Sequence, residues 1–220
     1  MRKICYVLGV LFLLISCSEN KEKQVEEIRE ELKEILKLDQ EPRNRIVELW
    51  QTAPQDTLLQ RQIGMEIWRN DSINLIRVCE ILDHYELDFG EENEVLWVVI
   101  QHSSLELQQK YLPKFIKAAE EGKIKGELIA MMQDRICCNM GKLQVYGTQG
   151  NYDANGVFVP VAIEDSVNVD VRRAAMGMVP LSDYIKEMSR KYPYGKKNNQ
   201  TSSARRCQFY CTGSVYSYSE

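Results

Sequence analysis

The sequence predicts a mainly α-helical protein, a single helical domain of about seven or eight helices with one β-hairpin late in the chain. Apolar residues recur at spacings of three and four along most of the chain, which is typical of amphipathic helices. Residues that cap or stop helices, such as Ser104 and Gly122, stand at the ends of these stretches. The period changes between residues 142 and 161, where two apolar runs flank a segment rich in Gly, Asn and Asp, as expected of a hairpin.

The first helix is predicted from a narrow apolar seam that begins at Val25 and ends at Ile35. The polar stretch around residues 38–43 predicts a break, and Pro42 suits the first turn of a second helix. Asp56 is then expected to cap a helix through Trp68, and Asp71 to cap another through about Tyr85.

The middle of the chain predicts three further helices, at 91–102, 104–121 and 126–139. The first of these is unusually apolar and is therefore expected to be central, although a buried strand is the alternative. Strands are predicted at 142–146 and 157–161, followed by helical segments at 165–176 and 180–191.

The N-terminus predicts a targeting segment rather than part of the domain. Arg2 and Lys3 precede an apolar run, Ile4 to Ile15, that is too short to cross a bilayer as a helix. The run ends in Leu14-Ile15-Ser16-Cys17, which resembles the lipobox of bacterial lipoproteins. The resemblance implies that the Cys17 thiol is joined to a diacylglycerol and that the chain is then cleaved before Cys17. Two or more acyl chains, palmitate among them, would give a stable anchor. A plain secretory peptide with an incidental cysteine is the alternative, but polar residues directly after Cys17 favour the lipobox.

This organisation divides the chain into a signal peptide (1–16), a tether (17–24), a helical domain (25–192) and a disordered tail (193–220). It predicts a lipid-anchored protein of the bacterial cell envelope, on the periplasmic side or the outer face of a membrane. The partners expected are the membrane, through lipidated Cys17, and an unknown protein or small polar ligand.

Composition excludes some classes of function. The 220 residues carry a formal net charge of −4, which becomes −6 when Arg2 and Lys3 are removed with the signal peptide. This mild acidity argues against nucleic acid as a partner, since that requires a basic face.

The cysteines leave their pairing open. Apart from Cys5 and Cys17, five remain, so at least one stays free or pairs between chains. Cys207 and Cys211 are close enough in sequence to pair locally. No C-x-x-C pair is present and only two histidines are available, so we expect neither a metal nor a cofactor. The other three cysteines whose pairing is open are Cys79, Cys137 and Cys138.

Gln101-His102 is the first candidate site. His102 continues the apolar stripe of its predicted helix and is expected to point inward, where an imidazole needs a hydrogen-bond partner. It is either a general acid/base or ligand-binding group, or a core histidine with both nitrogens satisfied.

Asp134-Arg135 is the second candidate, on the helix at 126–139. Arg135 lies on the apolar side of that helix, so its guanidinium requires a partner. It either pins a turn or helix end, or offers its planar fork to an anionic ligand.

Polar residues of the hairpin region and the helix after it form the remaining candidates. Gln144 and Tyr146 are two apart and would share a strand face, with Gln149 in the following turn. They either line a polar pocket or hydrogen-bond the helix of His102. Arg172 and Arg173 lie early in a short helix beside an acid, where they could equally be a solvated charge run.

Several of these fragments together resemble a bacterial family catalogued as domain of unknown function 6624. The resemblance covers about residues 39–185. Its motifs are, in order, Asp39 with Arg43, Gln101-His102, Gln108 with Leu112-Pro113, Asp134-Arg135, Gln144 to Gln149, Pro160, Asp165, Asp170 to Arg173 and Tyr184. The family has no assigned activity, so the resemblance implies the domain limits and the candidate residues but no reaction.

These polar residues are spread along the chain, which suggests that they converge in the fold. Convergence would suit a pocket for a small polar or anionic ligand, and equally a hydrogen-bonded clasp between hairpin and helices. We therefore expect an envelope-anchored binding or interaction module.

The alternative is a hydrolase-like enzyme in which His102 is the general acid/base, Asp134 orients it, and Arg135 or Arg172 stabilises negative charge. No signature of an activated nucleophile is present. A third option is a spacer that pairs with a partner through the helix at 25–38.

Overall fold

A computed structural model describes the backbone of residues 2–191 and the side chains of residues 22–190. Within these residues it contains seven α-helices and one two-stranded antiparallel sheet, which confirms the predicted fold class. The helices are α1 (Arg2–Thr52), α2 (Thr57–His84), α3 (Asn93–Gln101), α4 (Leu105–Glu120), α5 (Gly126–Asn139), α6 (Val169–Ala175) and α7 (Leu181–Lys191). The strands are β1 (Gly150–Tyr152) and β2 (Phe158–Pro160), and short 3₁₀ turns occupy Gly90–Glu92 and Ser166–Asn168.

Helix α1 is continuous through Pro42, so the predicted break at 38–43 is wrong. A proline removes the hydrogen bond to the carbonyl four residues earlier, here that of Leu38. The side-chain amide of Asn70 on α2 donates to this carbonyl at 2.8 Å. The tertiary contact replaces the missing helical bond, and the helix continues.

Helix α2 is also one helix rather than two. Asp56 caps it as predicted, since its side chain accepts from the backbone N–H of Leu59. The predicted cap at Asp71 is wrong, because Asp71 lies inside α2 and its carboxylate pairs with Arg43 of α1. The helices run antiparallel, as the pairs Arg77–Glu31 and Arg45–Glu66 require.

The core lies where α1 to α5 meet. Seven of the nine residues of α3 are buried, which confirms that this helix is central. A second and smaller apolar cluster lies nearer the turn between α1 and α2, a region that we call the α1–α2 tip. Its buried members are Ile46, Leu49 and Ile63.

Helices α4 and α5 agree with the sequence prediction. Ser104 caps α4 through a hydrogen bond from the N–H of Leu107. Gly122 ends it with φ +72°, a conformation that favours glycine. The bounds of α5 are those predicted.

The hairpin is displaced from its predicted position. The first strand is residues 150–152 rather than 142–146, and Gly150 pairs with Pro160. Gln144 forms only an isolated parallel bridge with Ile163. The expectation that Gln144 and Tyr146 share a strand face is therefore wrong.

The described part of the chain contains no helix long and apolar enough to cross a membrane. Helix α1 runs through residues 18–24, where the sequence predicted a tether. The predicted tail (193–220), the Cys207–Cys211 pairing and the side chain of Cys17 lie outside the described residues. Cys79, Cys137 and Cys138 form no disulfide bond with one another or with any other described residue.

Candidate functional site

His102 directly follows α3, and its imidazole meets a carboxylate of α1. The ring Nδ1 lies 3.2 Å from Oδ1 of Asp39, whose side chain is only 1% exposed. A carboxylate accepts, so Nδ1–H donates in this bond. The imidazole itself is 20% exposed, and its Nε2 makes no hydrogen bond to any described residue. One ring nitrogen is thus held in place, and the other is available at the surface.

Asp39 takes the role that the enzyme hypothesis gave to Asp134. It orients the imidazole from a position one residue beyond the predicted end of the first helix. That hypothesis is wrong on this point, because the Asp134 carboxylate serves a different part of the fold, described below.

Arg43 joins Asp39 to a second acid. Its Nη1 lies 3.2 Å from Oδ1 of Asp39, one helical turn earlier. Its Nη2 donates to both carboxylate oxygens of Asp71, at 2.9 and 2.8 Å. Gln40 adds a bond of 2.6 Å to Oδ2 of Asp39. His102, Asp39, Arg43 and Asp71 therefore form a continuous chain of charge-assisted contacts, which we call the histidine cluster.

The environment of the histidine cluster sets the protonation of its members. Burial lowers the pKa of His102, and the charges of Arg43 and Arg135 act in the same direction, against the raising effect of Asp39. Burial alone would raise the pKa of Asp39, but its bond to His102, the charge of Arg43 and the bond from Gln40 lower it overall. His102 is therefore neutral at neutral pH, with a lone pair on Nε2.

Asp71 responds in the opposite way. Burial raises the pKa of Asp71, and this effect outweighs the charge and hydrogen bonds of Arg43. The two acids beside Arg43 thus differ, with the Asp39 proton more readily lost than that of Asp71.

Gln101 and Arg135 border the histidine cluster. In the amide orientation that its neighbours require, the Gln101 side-chain oxygen accepts from Arg135 Nε at 2.7 Å and Nη2 at 3.2 Å. Both side chains are buried. The charge of the Arg135 guanidinium contributes to the lowered pKa of His102.

A second polar group surrounds the loop after α5. The buried carboxylate of Asp134 accepts four hydrogen bonds, from the N–H groups of Val145, Tyr146 and Thr148 and from the Thr148 hydroxyl, at 2.7 to 3.0 Å. The side chain of Gln144 closes the same loop by bonding both the N–H and the carbonyl of Gln149.

Two arginines of α6 hold the carbonyl side of this loop. Arg172 Nε donates to the carbonyl of Val145 at 3.0 Å. Arg173 is fully buried; it donates to the carbonyl of Tyr146 at 2.7 Å and lies over the ring of Tyr184 at 4.8 Å. We call this group, formed by Asp134, residues 144–149, Arg172, Arg173 and Tyr184, the loop clasp.

The loop clasp also needs its glycine. Gly147 has φ +76°, and a Cβ there would lie 2.8 Å from methyl carbons of Ile163 and Leu181. Its conformation and its packing both exclude a side chain.

The predicted site residues thus separate into two groups. Gln101, His102 and Arg135 lie in or beside the histidine cluster. Tyr146 contributes its backbone to the loop clasp, and its side chain is half-buried, where burial raises its pKa. The other predicted residues, Asp134, Gln144, Gln149, Arg172 and Arg173, belong to the loop clasp.

Three members of the histidine cluster were not among the predicted site residues. Asp39 and Arg43 entered only through the family resemblance, although their spacing of four places them on one helix face. Asp71 was predicted only as a helix cap, because its partner Arg43 is 28 residues away in sequence. Among the described residues, no group of three or more His, Cys, Asp or Glu side chains is arranged to hold a metal ion.

Comparisons with known proteins give the chain a family. No curated protein and no solved structure matches it. The model of one family, described as a family of unknown function, matches residues 26–198, which include both the histidine cluster and the loop clasp. The chain therefore belongs to the Family of unknown function (DUF6624).

Proposed function

We propose that this protein is a lipid-anchored component of the bacterial envelope that binds a small polar ligand at the histidine cluster. The anchor is supported by the sequence at Leu14-Ile15-Ser16-Cys17. The binding site is supported by one observation above all, the buried Asp39 that fixes one nitrogen of His102 and leaves the other available.

The anchor predicts a defined covalent structure. In cells, the mature chain is expected to begin at Cys17 and to carry acyl chains there, while a Cys17→Ser variant carries none and leaves the membrane fraction. Mass spectrometry of the N-terminal peptide measures this, with Cys79→Ser as the matched control. An unmodified Cys17 in the wild-type membrane fraction contradicts the anchor.

The chemistry of the histidine cluster indicates the ligand class. Neutral His102 presents an acceptor, so it pairs with a hydroxyl or N–H of a ligand. With two acids beside Arg43 and Arg135, the formal charges balance, which favours a hydroxyl-rich molecule over a multiply charged anion. The loop clasp contributes rigidity, since both sides of its backbone are bonded within the fold.

Binding is tested by replacing His102 with asparagine. The Asn amide can replace Nδ1 as the donor to Asp39, but it offers no acceptor at the position of Nε2. We expect N-acetylglucosamine, glycerol or lactate to raise the melting temperature of the full chain, and the rise to be lost in His102→Asn. A ligand at 100 times its Kd stabilises by about 2.7 kcal/mol, which is a measurable shift.

The matched control is His84→Asn, at an exposed histidine whose ring hydrogen-bonds the carbonyl of Glu80. It is expected to keep the ligand-induced rise. If none of the three probes raises the melting temperature, or if His102→Asn keeps the rise, the binding site is not at His102.

A hydrolase-like enzyme is the second candidate, and the Asp39–His102 bond favours it specifically. A carboxylate that orients an imidazole from Nδ1 leaves Nε2 placed to accept a proton from water or substrate. The same His102→Asn variant is then expected to lose about 100-fold or more in turnover of p-nitrophenyl acetate or phosphate.

The pH profile has a defined sign in that case. Activity rises with pH through the depressed pKa of His102, because the base acts in its deprotonated form. Equal turnover in the wild type and in His102→Asn rejects the enzyme candidate. It does not affect the binding proposal, which is tested separately by ligand-induced stabilisation of the wild type.

A further inference from the structure

Helix α2 carries an apolar stripe on the face opposite its buried side. Leu58, Met65, Trp68 and Ile76 are separated by seven, three and eight residues, so they line one face at helical spacing. They are 68%, 54%, 70% and 67% exposed. The inward face of the same helix buries Ile63, Val78 and Ile81 among others, so the core does not account for the stripe.

The charges on this face have one sign. Arg61 and Arg69 are exposed and stand between the apolar residues, and neither makes a hydrogen bond or ion pair with a described residue. The other polar residues of the face are Gln62 and Ser72. The nearest acid of this stretch, Glu66, lies to the side and is bound to Arg45. Two uncompensated cations thus flank an exposed tryptophan.

The stripe extends along the α1–α2 tip. The small cluster of Ile46, Leu49 and Ile63 lies on the inner side of α2 at this point. From Leu58 to Ile76 the helix rises about 27 Å. An apolar strip of that length on a soluble surface is unusual and marks a contact with another surface.

The charges beside the apolar stripe indicate which kind of surface binds it. Two copies of the chain packed stripe to stripe would bring Arg61 and Arg69 of both together, with no acid on the face to separate them. The segment at 192–220 is also a poor complement, since it carries Lys196, Lys197, Arg205 and Arg206 and only one acid, Glu220. An anionic phospholipid surface fits, because it takes apolar side chains and tryptophan into its interface and pairs arginine with phosphate.

We propose that α2 lies along an anionic membrane surface through Leu58, Met65, Trp68 and Ile76, with Arg61 and Arg69 bound to lipid phosphates. This contact is independent of acylation at Cys17. If Cys17 is acylated, the anchor confines the protein to the membrane and raises the effective concentration of the stripe there.

The test monitors Trp68 itself in the full chain bound to vesicles. Brominated phospholipids quench a tryptophan that enters the interface, and the Trp68 signal is the difference between wild type and Trp68→Phe. Trp97 is buried in the core, and Trp50 is partly buried against the cluster of Ile46, Leu49 and Ile63. Both are present in the wild type and in Trp68→Phe, so their contribution is expected to cancel in the difference. The N-terminal apolar run is present in every sample, so its binding does not change the local readout.

We expect Trp68 to be quenched on phosphatidylglycerol vesicles and much less on phosphatidylcholine vesicles. The double variant Arg61→Glu/Arg69→Glu is expected to lose the quenching, since each cation near an anionic surface contributes about fivefold to partitioning. Lys142→Glu/Arg190→Glu makes the same change in net charge at two exposed cations elsewhere and is expected to keep it.

Three results overturn the proposal. The first is that Trp68 stays unquenched on anionic vesicles although the protein floats with them. The second is equal quenching on neutral and anionic vesicles. The third is equal quenching in the two double variants. Concentration-dependent dimers in sedimentation, with Trp68 unquenched, would assign the stripe to a second copy instead.

Discussion

Replacing Asp134 by alanine is expected to lower the free energy of unfolding by about 3–5 kcal/mol. The buried carboxylate is the acceptor for three backbone N–H groups and one hydroxyl of the loop after α5. A buried donor that loses its partner costs about 1–3 kcal/mol, and the half-buried donors recover part of this from water. Urea denaturation followed by circular dichroism measures the change.

Two controls separate the loss of the hydrogen bonds to the loop from the loss of a negative charge. Asp134→Asn keeps one acceptor oxygen and is expected to lose less than alanine does. Glu34→Ala removes an exposed acid of α1 and is expected to change stability by less than about 0.5 kcal/mol. A loss for Asp134→Ala no larger than that of Glu34→Ala would show that the four bonds do not hold the loop.

Replacing Asp39 by alanine is expected to cost about 3 kcal/mol. Its carboxylate is buried, accepts hydrogen bonds from His102 and Gln40 and forms an ion pair with Arg43, so its removal takes a partner from each. Arg43 keeps its bidentate pairing with Asp71, which holds the loss near the lower end expected for a broken buried pair.

The histidine cluster also predicts how stability depends on pH. The lowered pKa of His102 means that the folded state favours the neutral ring. Its contribution is complete above the unfolded pKa of about 6.5 and is lost as pH falls through the lower folded value. The lowered pKa of Asp39 contributes in the same sense below about pH 3.9.

Asp71 has the opposite sign. Its raised pKa favours the protonated folded state, so its contribution is present in acid and is lost as pH rises through the folded value. The lowered pKa of Asp39, in contrast, makes the folded state lose stability in acid. Removing Asp39 is therefore expected to weaken the loss of stability below about pH 3.9.

Asp39→Asn is the sharper variant, because it keeps the shape of the side chain and removes its charge. Since Asp39 favours the imidazolium form, the pKa of His102 is expected to fall further in this variant. Histidine Hε1 resonances measure this, and His84→Gln assigns the second signal. A pKa of His102 that rises or does not change would show that Asp39 is not its electrostatic partner.

Much of the helical architecture follows from signals that lie within each element. Ser104 and Gly122 place the ends of α4 because a capping hydroxyl and a left-handed glycine act on their nearest neighbours. The apolar run of α3 identifies a central helix for a similar reason, since a helix that is apolar on most sides has to be buried.

The sequence predicted only part of the candidate site. Gln101, His102 and Arg135 stand out because polar groups on apolar helix faces need partners wherever they lie. The identity of the partner is not a local property. Asp134 illustrates this. It was expected to orient His102, but its carboxylate bonds the loop after α5, and Asp39 orients His102 instead.

The remaining errors share one physical cause, which is that a distant residue supplies a bond that the local chain lacks. Asn70 satisfies the carbonyl freed by Pro42, and Arg43 claims the carboxylate of Asp71, so two expected helix boundaries do not exist. Asp134 accepts hydrogen bonds from the N–H groups of Val145, Tyr146 and Thr148, so the strand forms later in the chain. Helix type, helix ends and the need for buried pairs are written in neighbouring residues, whereas the choice of each partner depends on which side chains the packed helices bring within hydrogen-bond distance.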